Sequence, residues 1–159
     1  IALEAEGALL LELEALVAAL GAQTLRVPPG MRAAYHAASH YGAAFLCVLF
    51  SEGMKILDAA GMSGQAPRQA LLSLARGTLA ILEQTDPARA MAGVYARGDS
   101  GSATGHLRAL DAIDPEVGAF YRALALRSVA LAEEAVRIDR VTADSLRELL
   151  RANSAPGEI

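Results

Sequence analysis

The segment Met31–Ala60 constrains the fold more than any other part of the chain. It contains no proline, its middle is apolar on nearly every side, and Gly61 follows at the position of a helix-ending glycine. We therefore expect one long helix that forms the central, most buried element, with a kink near Gly42 or Gly53. The single cysteine, Cys47, lies in this apolar run, and we expect it to be buried and inert.

Capping residues and first-turn prolines mark helix starts in the rest of the chain. Pro67 stands where a first-turn proline would, and two Asp-Pro pairs combine an N-cap with such a proline. The predicted helices are 8–20, 31–60, 67–84, 87–91, one from Asp99 or Ser102 to about Leu110, 115–138, and one capped by Thr142 that runs to about Arg151.

Two stretches near the N-terminus are typical of short strands, Ile1–Gly7 and Thr24–Val27. A lone strand ahead of a helix cannot form a sheet by itself, so we interpret the chain as cut from something longer, with the missing part N-terminal. The predicted fold class is an all-α helical bundle with one or two short N-terminal strands, followed by a tail at 153–159 that we expect to fray.

Charge and composition exclude several classes of function. The net charge of −4 argues against nucleic-acid binding, which requires a basic surface to neutralise phosphates. The apolar run around Cys47 is too short to span a bilayer, and no signal peptide is visible, so we expect a cytoplasmic protein without a membrane partner. Aromatic residues make up only 4% of the chain, and the core must therefore consist of aliphatic side chains.

Tyr35, His36 and Ser39 form a polar cluster at the start of the long helix. They could form the wall of a cleft in which His36 transfers protons, or they could be amphipathic side chains at a domain edge. His36 and His40 share a helix face, but two ligands do not make a metal site, and Ala37 stands where an H-E-x-x-H motif has Glu. We predict no metal site.

The loop 93–99 interrupts the helical pattern with Gly93 and with Arg97-Gly98-Asp99. Arg97 and Asp99 could pair with each other or bind a ligand, but capping favours Asp99 as the N-cap of the next helix. No G-x-G-x-x-G motif is present, so we predict no cofactor site in this chain. Gly77 lies inside a predicted helix and suggests the close approach of another backbone, within the chain or across a dimer.

Several short motifs together resemble the C-terminal half of a family of Rossmann-like proteins, a half classified as a domain of unknown function. That half is related to the C-terminal domains of 6-phosphogluconate dehydrogenase, pyrroline-5-carboxylate reductase and the NADP oxidoreductases that use a deazaflavin coenzyme. The resemblance covers Ile1 to roughly Ala132. Its motifs are Tyr35-His36-Ala37-Ala38, Leu74-Ala75-Arg76-Gly77-Thr78, Ala96-Arg97-Gly98-Asp99 and His106-Leu107. The chain departs from the family at Ala44, where an Asn is usual, and at Val94, where a Pro is common.

The resemblance implies a division into 1–27, the end of a Rossmann domain, and 28–152, a 6-phosphogluconate dehydrogenase C-terminal-like bundle. The bundle would form a homodimer and close the substrate cleft of an NAD(P)-dependent oxidoreductase-like parent, which would transfer a hydride to or from a small imine or carbonyl compound. The NAD(P) and its Rossmann domain lie outside this chain, which would not be catalytic alone. The implied cleft residues are His36 as the catalytic candidate, with Tyr35, Ser39, Arg97, Asp99 and His106.

Two other classes of function remain open from the residues. The parent could have lost its chemistry, so that the domain only assembles. Alternatively, the chain could be a stand-alone helical protein that binds an apolar ligand.

Overall fold

The computed structural model describes residues 1–152, and this part is all-α with two short parallel strands near the N-terminus, as predicted. It divides into two compact units, 1–50 and 51 onward. A 3-10 turn, Tyr95–Arg97, precedes the sixth α-helix. The elements in chain order are β1 (Ala2–Leu3), α1 (Gly7–Ala19), β2 (Leu25–Arg26), α2 (Arg32–Gly42), α3 (Ala44–Ala59), α4 (Gln65–Leu82), α5 (Pro87–Ala90), α6 (Ser100–Ile113), α7 (Pro115–Glu134) and α8 (Arg140–Arg151).

In the first unit, α1 connects two parallel strands. Ala2 pairs with Leu25 and Leu3 with Arg26, so β1 pairs within its own chain. Gly21 at φ 69° ends α1, because its backbone N–H bonds back to the carbonyl of Ala18 in the geometry of a helix-ending glycine. Residues 2–26 thus form a strand–helix–strand crossover whose sheet has only two strands in the described chain.

The predicted long helix is divided at Gly42, one of the two positions where a kink is expected. Ala43 is non-helical at φ −132° and ψ −87°, so α2 ends at Gly42 and α3 begins at Ala44. The expectation that this segment is the most buried is wrong: the described chain buries no residue of α2 or α3, and Cys47 is exposed. An apolar helix needs a cover, and the described chain provides little for this one.

The core of the second unit lies in its C-terminal helices. Leucines and alanines of α6, α7 and α8 are fully buried and pack around Tyr95. Small side chains at the contacts let the helices approach closely. The largest fully buried side chains are Leu107, Val129, Leu146 and Leu150.

Aspartates cap four helices of this unit. The predicted Asp-Pro starts are confirmed, since Asp86 accepts from the N–H of Arg89 and Asp114 from that of Glu116. The cap predicted for the last helix is wrong. Asp139, not Thr142, is the N-cap of α8; its backbone is extended and its carboxylate accepts the N–H of Thr142 at 2.8 Å.

Helix α7 ends at Glu134, earlier than predicted, because Val136 reverses the chain. Val136 has φ 55°, a left-handed conformation that is unfavourable for a β-branched residue. Its N–H bonds to the carbonyl of Glu133, and that of Arg137 bonds to Ala132. The predicted frayed tail at 153–159 lies outside the described residues. No helix within residues 1–152 has the length and apolar character that a membrane crossing requires.

Candidate functional site

A pocket of about 160 Å³ lies at the carboxyl ends of the two parallel strands. Glu4 directly follows β1 and Val27 directly follows β2, so both belong to this edge of the strand pair. Open sheets with parallel strands bind ligands at this edge. The residues that line the pocket are Ala2, Glu4, Val27, Arg32, Tyr35 and His36.

Glu4 holds the start of α2 in place against β1. Its Oε1 accepts the backbone N–H of Gly30 at 2.7 Å, and its Oε2 accepts the Nε–H of Arg32 at 2.9 Å. The bond from Gly30 has the largest effect and lowers the pKa of Glu4. Burial is second and opposes it, and the charge and hydrogen bond of Arg32 lower the pKa further. Glu4 therefore determines where the first turns of α2 present Tyr35 and His36.

The predicted pair Tyr35 and His36 lines this pocket, with ring centroids 5.7 Å apart. Tyr35 is half-buried and His36 is exposed. Among residues 1–152, neither the Tyr35 hydroxyl nor the His36 imidazole has a hydrogen-bond partner. Both groups are therefore available to a ligand.

Ser39 and His40, one turn further along α2, are bonded to the helix itself. The Ser39 hydroxyl donates to the His36 carbonyl at 2.7 Å, and the His40 Nδ1 lies 2.8 Å from the same oxygen. Ser39 is not among the pocket-lining residues. Over the described range 1–152, no three His, Cys, Asp or Glu side chains converge on a position that suits a metal ion.

Asp99 of the Arg97-Gly98-Asp99 loop is the N-cap of α6, as capping favoured. Its carboxylate accepts the backbone N–H of Ser102 at 2.9 Å and the Ser102 hydroxyl at 2.6 Å, and these bonds lower the pKa of Asp99. Arg97 is exposed and forms no ion pair with Asp99 in the described part of the chain. A ligand role for Arg97 stays a prediction.

Gly98 explains why the loop has this sequence. Its φ is +69°, and a Cβ built on it would lie 2.6 Å from Cγ2 of Thr142 on α8. Only glycine combines a left-handed backbone with so close a neighbour. The loop is therefore a turn packed against α8, a contact that the sequence alone could not reveal.

His106 belongs to a hydrogen-bonded chain that runs from the surface into the core. The Tyr95 hydroxyl donates to that of Tyr121 at 3.2 Å, and the Tyr121 hydroxyl lies 2.8 Å from Nδ1 of His106. Burial, and secondly the bond to Tyr121, raises the pKa of Tyr95. Sequence reasoning selected His106 but missed both tyrosines, whose spacing of 26 residues gave no signal.

A buried arginine lies next to the hydrogen bonds of Tyr121. Arg122 is 5% exposed, and its terminal nitrogen donates to both oxygens of Asp111, at 2.8 and 2.7 Å. A Cβ on Gly118 would lie 3.0 Å from both the Arg122 guanidinium and the Asp111 carboxylate, so the glycine makes room for the pair. The pair links the end of α6 to the start of α7.

The predicted site residues thus fall into two groups. Tyr35 and His36 line the pocket of the first unit, with Ser39 beside them on α2. The other three belong to the second unit: Arg97 ends the 3-10 turn, Asp99 is the N-cap of α6, and His106 lies within α6. Glu4 and Arg32 are the pocket residues that sequence reasoning missed; a carboxylate directly after a strand was the available signal.

A scan against models of protein families matches residues 1–128 to a domain of unknown function (DUF2520). The chain belongs to this family. The DUF2520 match includes Tyr35, His36 and the Arg97-Gly98-Asp99 loop, and it ends within α7. The core continues beyond it into α8, where Leu146 is fully buried. Neither the search of curated proteins nor that of solved structures finds a match.

The DUF2520 chain does not itself fit a nicotinamide dinucleotide. A dinucleotide-binding crossover places the pyrophosphate on a glycine-rich turn at a helix N-terminus. Here the turn between β1 and α1 carries the carboxylates of Glu4 and Glu6, and Gly7 is its single glycine. A single glycine does not allow the close backbone approach to a pyrophosphate that the glycine-rich turn provides.

Proposed function

We propose that this DUF2520 domain is the dimerisation and substrate-cleft domain of a Rossmann-type, NAD(P)-dependent oxidoreductase-like protein. A separate domain would hold the cofactor, so the chain described here would not be catalytic alone. The observation that carries the proposal is the uncovered apolar surface of α3 and α4.

In α3 (Ala44–Ala59) and α4 (Gln65–Leu82) the described chain buries no residue, although both helices are rich in leucine. On α4, Leu74 is 69% exposed, and Leu79 and Ile81 are about half exposed. Burying one such side chain contributes about 1.5–3 kcal/mol. A second copy of the chain would provide the missing cover through the same surface, as in most two-fold dimers.

Gly77 in the middle of α4 also supports an interface on this surface. Apart from its neighbours in α4, no atom of residues 1–152 lies within 4 Å of a Cβ built on Gly77, so the close approach of another backbone of the chain that its sequence suggested does not occur. Glycine at such a position costs about 1 kcal/mol relative to alanine. Close contact with a helix of the second copy would account for it.

The two-stranded sheet supports the proposal that a further domain holds the cofactor. Parallel strands occur almost always in larger sheets covered on both faces, whereas β1 and β2 form a sheet of two within the described chain. Leucines of α1, among them Leu9, Leu11 and Leu16, are more than half exposed. Further strands beside β1 and β2 would extend the sheet and cover this helix. In that arrangement the pocket residue His36 would face the cleft as a proton donor.

The experiment compares the variants Leu74→Ser and Val141→Ser by light scattering over a range of concentrations. Leu74→Ser removes an exposed side chain from α4, and Val141→Ser removes one that is 79% exposed on α8. We expect Leu74→Ser to weaken the dimer at least about tenfold and Val141→Ser to leave it unchanged. Equal effects of the two variants would contradict an interface on α3 and α4.

A further inference from the structure

We propose that the pocket at the carboxyl ends of β1 and β2 binds the oxyanion of a small molecule, a carboxylate or phosphate group, through Arg32, Tyr35 and His36. The inference rests on the proposed function insofar as it takes this pocket as the substrate pocket. It adds the chemical class of the ligand and the side chains that recognise it.

Arg32 supplies the directed donors. Its Nε–H is bonded to Glu4, and its terminal guanidinium nitrogens have no partner within residues 1–152. These terminal N–H groups have the fork geometry that matches two oxygens of a carboxylate or phosphate. Glu4 therefore fixes the orientation of the guanidinium without using the groups that would bind the ligand.

Glu4 also limits the ligand. The Glu4–Arg32 pair has no net charge, so attraction must come from directed hydrogen bonds at short range. Neither carboxylate oxygen of Glu4 lacks a hydrogen bond, because one accepts from Gly30 and the other from Arg32. We therefore expect millimolar affinity for a simple anion and tighter binding for a molecule that fills the pocket.

Tyr35 and His36 complete the recognition. A tyrosine hydroxyl donates one hydrogen bond, and an imidazole donates through a protonated ring nitrogen. Both groups line the pocket without partners in the described chain, in contrast to Ser39 and His40, which are bonded to their own helix. Three donor groups of different geometry thus meet at one cavity.

The size of the cavity restricts the ligand further. About 160 Å³ is well below the roughly 300 Å³ at which pockets for drug-sized ligands begin. This volume matches a small acid or phosphate ester better than a dinucleotide. The class is therefore a small anionic metabolite rather than a cofactor.

The experiment titrates the full chain with inorganic phosphate and, separately, with acetate at constant ionic strength, observed by NMR of the histidine rings. The chain has three histidines, and His106 in the second unit serves as the internal control. We expect a saturable shift of the His36 resonances with at least one of the two anions and none for His106. The anion that binds more tightly distinguishes a carboxylate site from a phosphate site.

Two variants test the side chains. Arg32→Gln should weaken binding about tenfold or more, because it removes the fork. The matched control is Arg26→Gln, since Arg26 is also paired through Nε to a glutamate, Glu14, and does not line the pocket. Tyr35→Phe keeps the ring and removes only the hydroxyl, and it should weaken binding about three- to tenfold.

The absence of a saturable His36 shift with both anions would overturn the inference, as would equal weakening by Arg32→Gln and Arg26→Gln. If Arg32→Gln perturbs the turn before α2, the result for Tyr35→Phe decides, because that variant leaves the backbone contacts of Glu4 intact. Failure of the anion titration leaves the light-scattering result on Leu74 unaffected, so the two proposals fail separately.

Discussion

Replacing Gly98 by alanine should destabilise the second unit strongly. The backbone there has φ +69°, and a left-handed conformation costs a non-glycine residue about 1–2 kcal/mol. The new Cβ would also lie 2.6 Å from Cγ2 of Thr142 and 3.4 Å from that of Ile138. Overpacking of this kind costs about 1–3 kcal/mol. The expected loss in free energy of unfolding is therefore about 2–5 kcal/mol.

Urea unfolding followed by circular dichroism measures this loss, and two further variants separate its causes. Thr142→Ser removes Cγ2 but keeps the hydroxyl, so in the double variant it should restore the steric part, about 1–3 kcal/mol. Gly61→Ala is the matched control: Gly61 has φ +79° and nothing within 4 Å of a built Cβ, so only the backbone cost applies. Equal losses for Gly98→Ala and Gly61→Ala, with no rescue by Thr142→Ser, would refute packing of the loop against α8.

Four other variants and one control have expected outcomes. Val136→Gly should raise the free energy of unfolding by about 1 kcal/mol in urea titrations, because Val136 is 88% exposed and held at φ 55°; an unchanged or lower value would contradict the strain. Asp99 and Asp139 have lowered pKa values in the folded state, so their caps stabilise above the unfolded pKa and lose this effect as the pH falls below about 4. Asp99→Asn and Asp139→Asn should make the acid-induced loss of stability shallower, and acid titrations identical to the parent would exclude this linkage. Gly77→Ala should weaken the dimer in sedimentation experiments, whereas Gly105→Ala, an equally open helical position on α6, should not; equal effects would place Gly77 outside the interface.

Local signals predicted the local structure well. Asp86 and Asp114 cap helices whose starts the Asp-Pro pairs indicated, because an N-cap depends on residues within one turn. The predicted cap of the last helix was wrong because two residues within one turn, Asp139 and Thr142, are both good N-caps. The backbone reversal at Val136 places the helix start at Asp139.

Burial was not predictable from hydrophobicity. The apolar run around Cys47 matched a central core helix, yet the fully buried side chains, such as Leu146, lie in α6–α8. Periodicity shows that a helix has an apolar surface but not which surface covers it. A helix that is covered by a second chain and one that is covered by its own chain have the same sequence pattern.

The candidate site was predictable in part. Tyr35 and His36 stood out as a polar pair at a helix start, and both line the pocket. Glu4 reaches Gly30 and Arg32 over 26 and 28 residues, and no local pattern encodes such a contact. The same holds for Gly98, whose close neighbour is Thr142 on a helix beyond the family match.

The central claim is that α3 and α4 form the interface of a homodimer. Sedimentation equilibrium of the unmodified chain tests this claim most directly. We predict a mass twice that of the 16.5 kDa chain at micromolar concentration. We also predict that Leu74→Ser shifts the equilibrium toward the single chain. A mass of 16.5 kDa at every concentration would contradict the account.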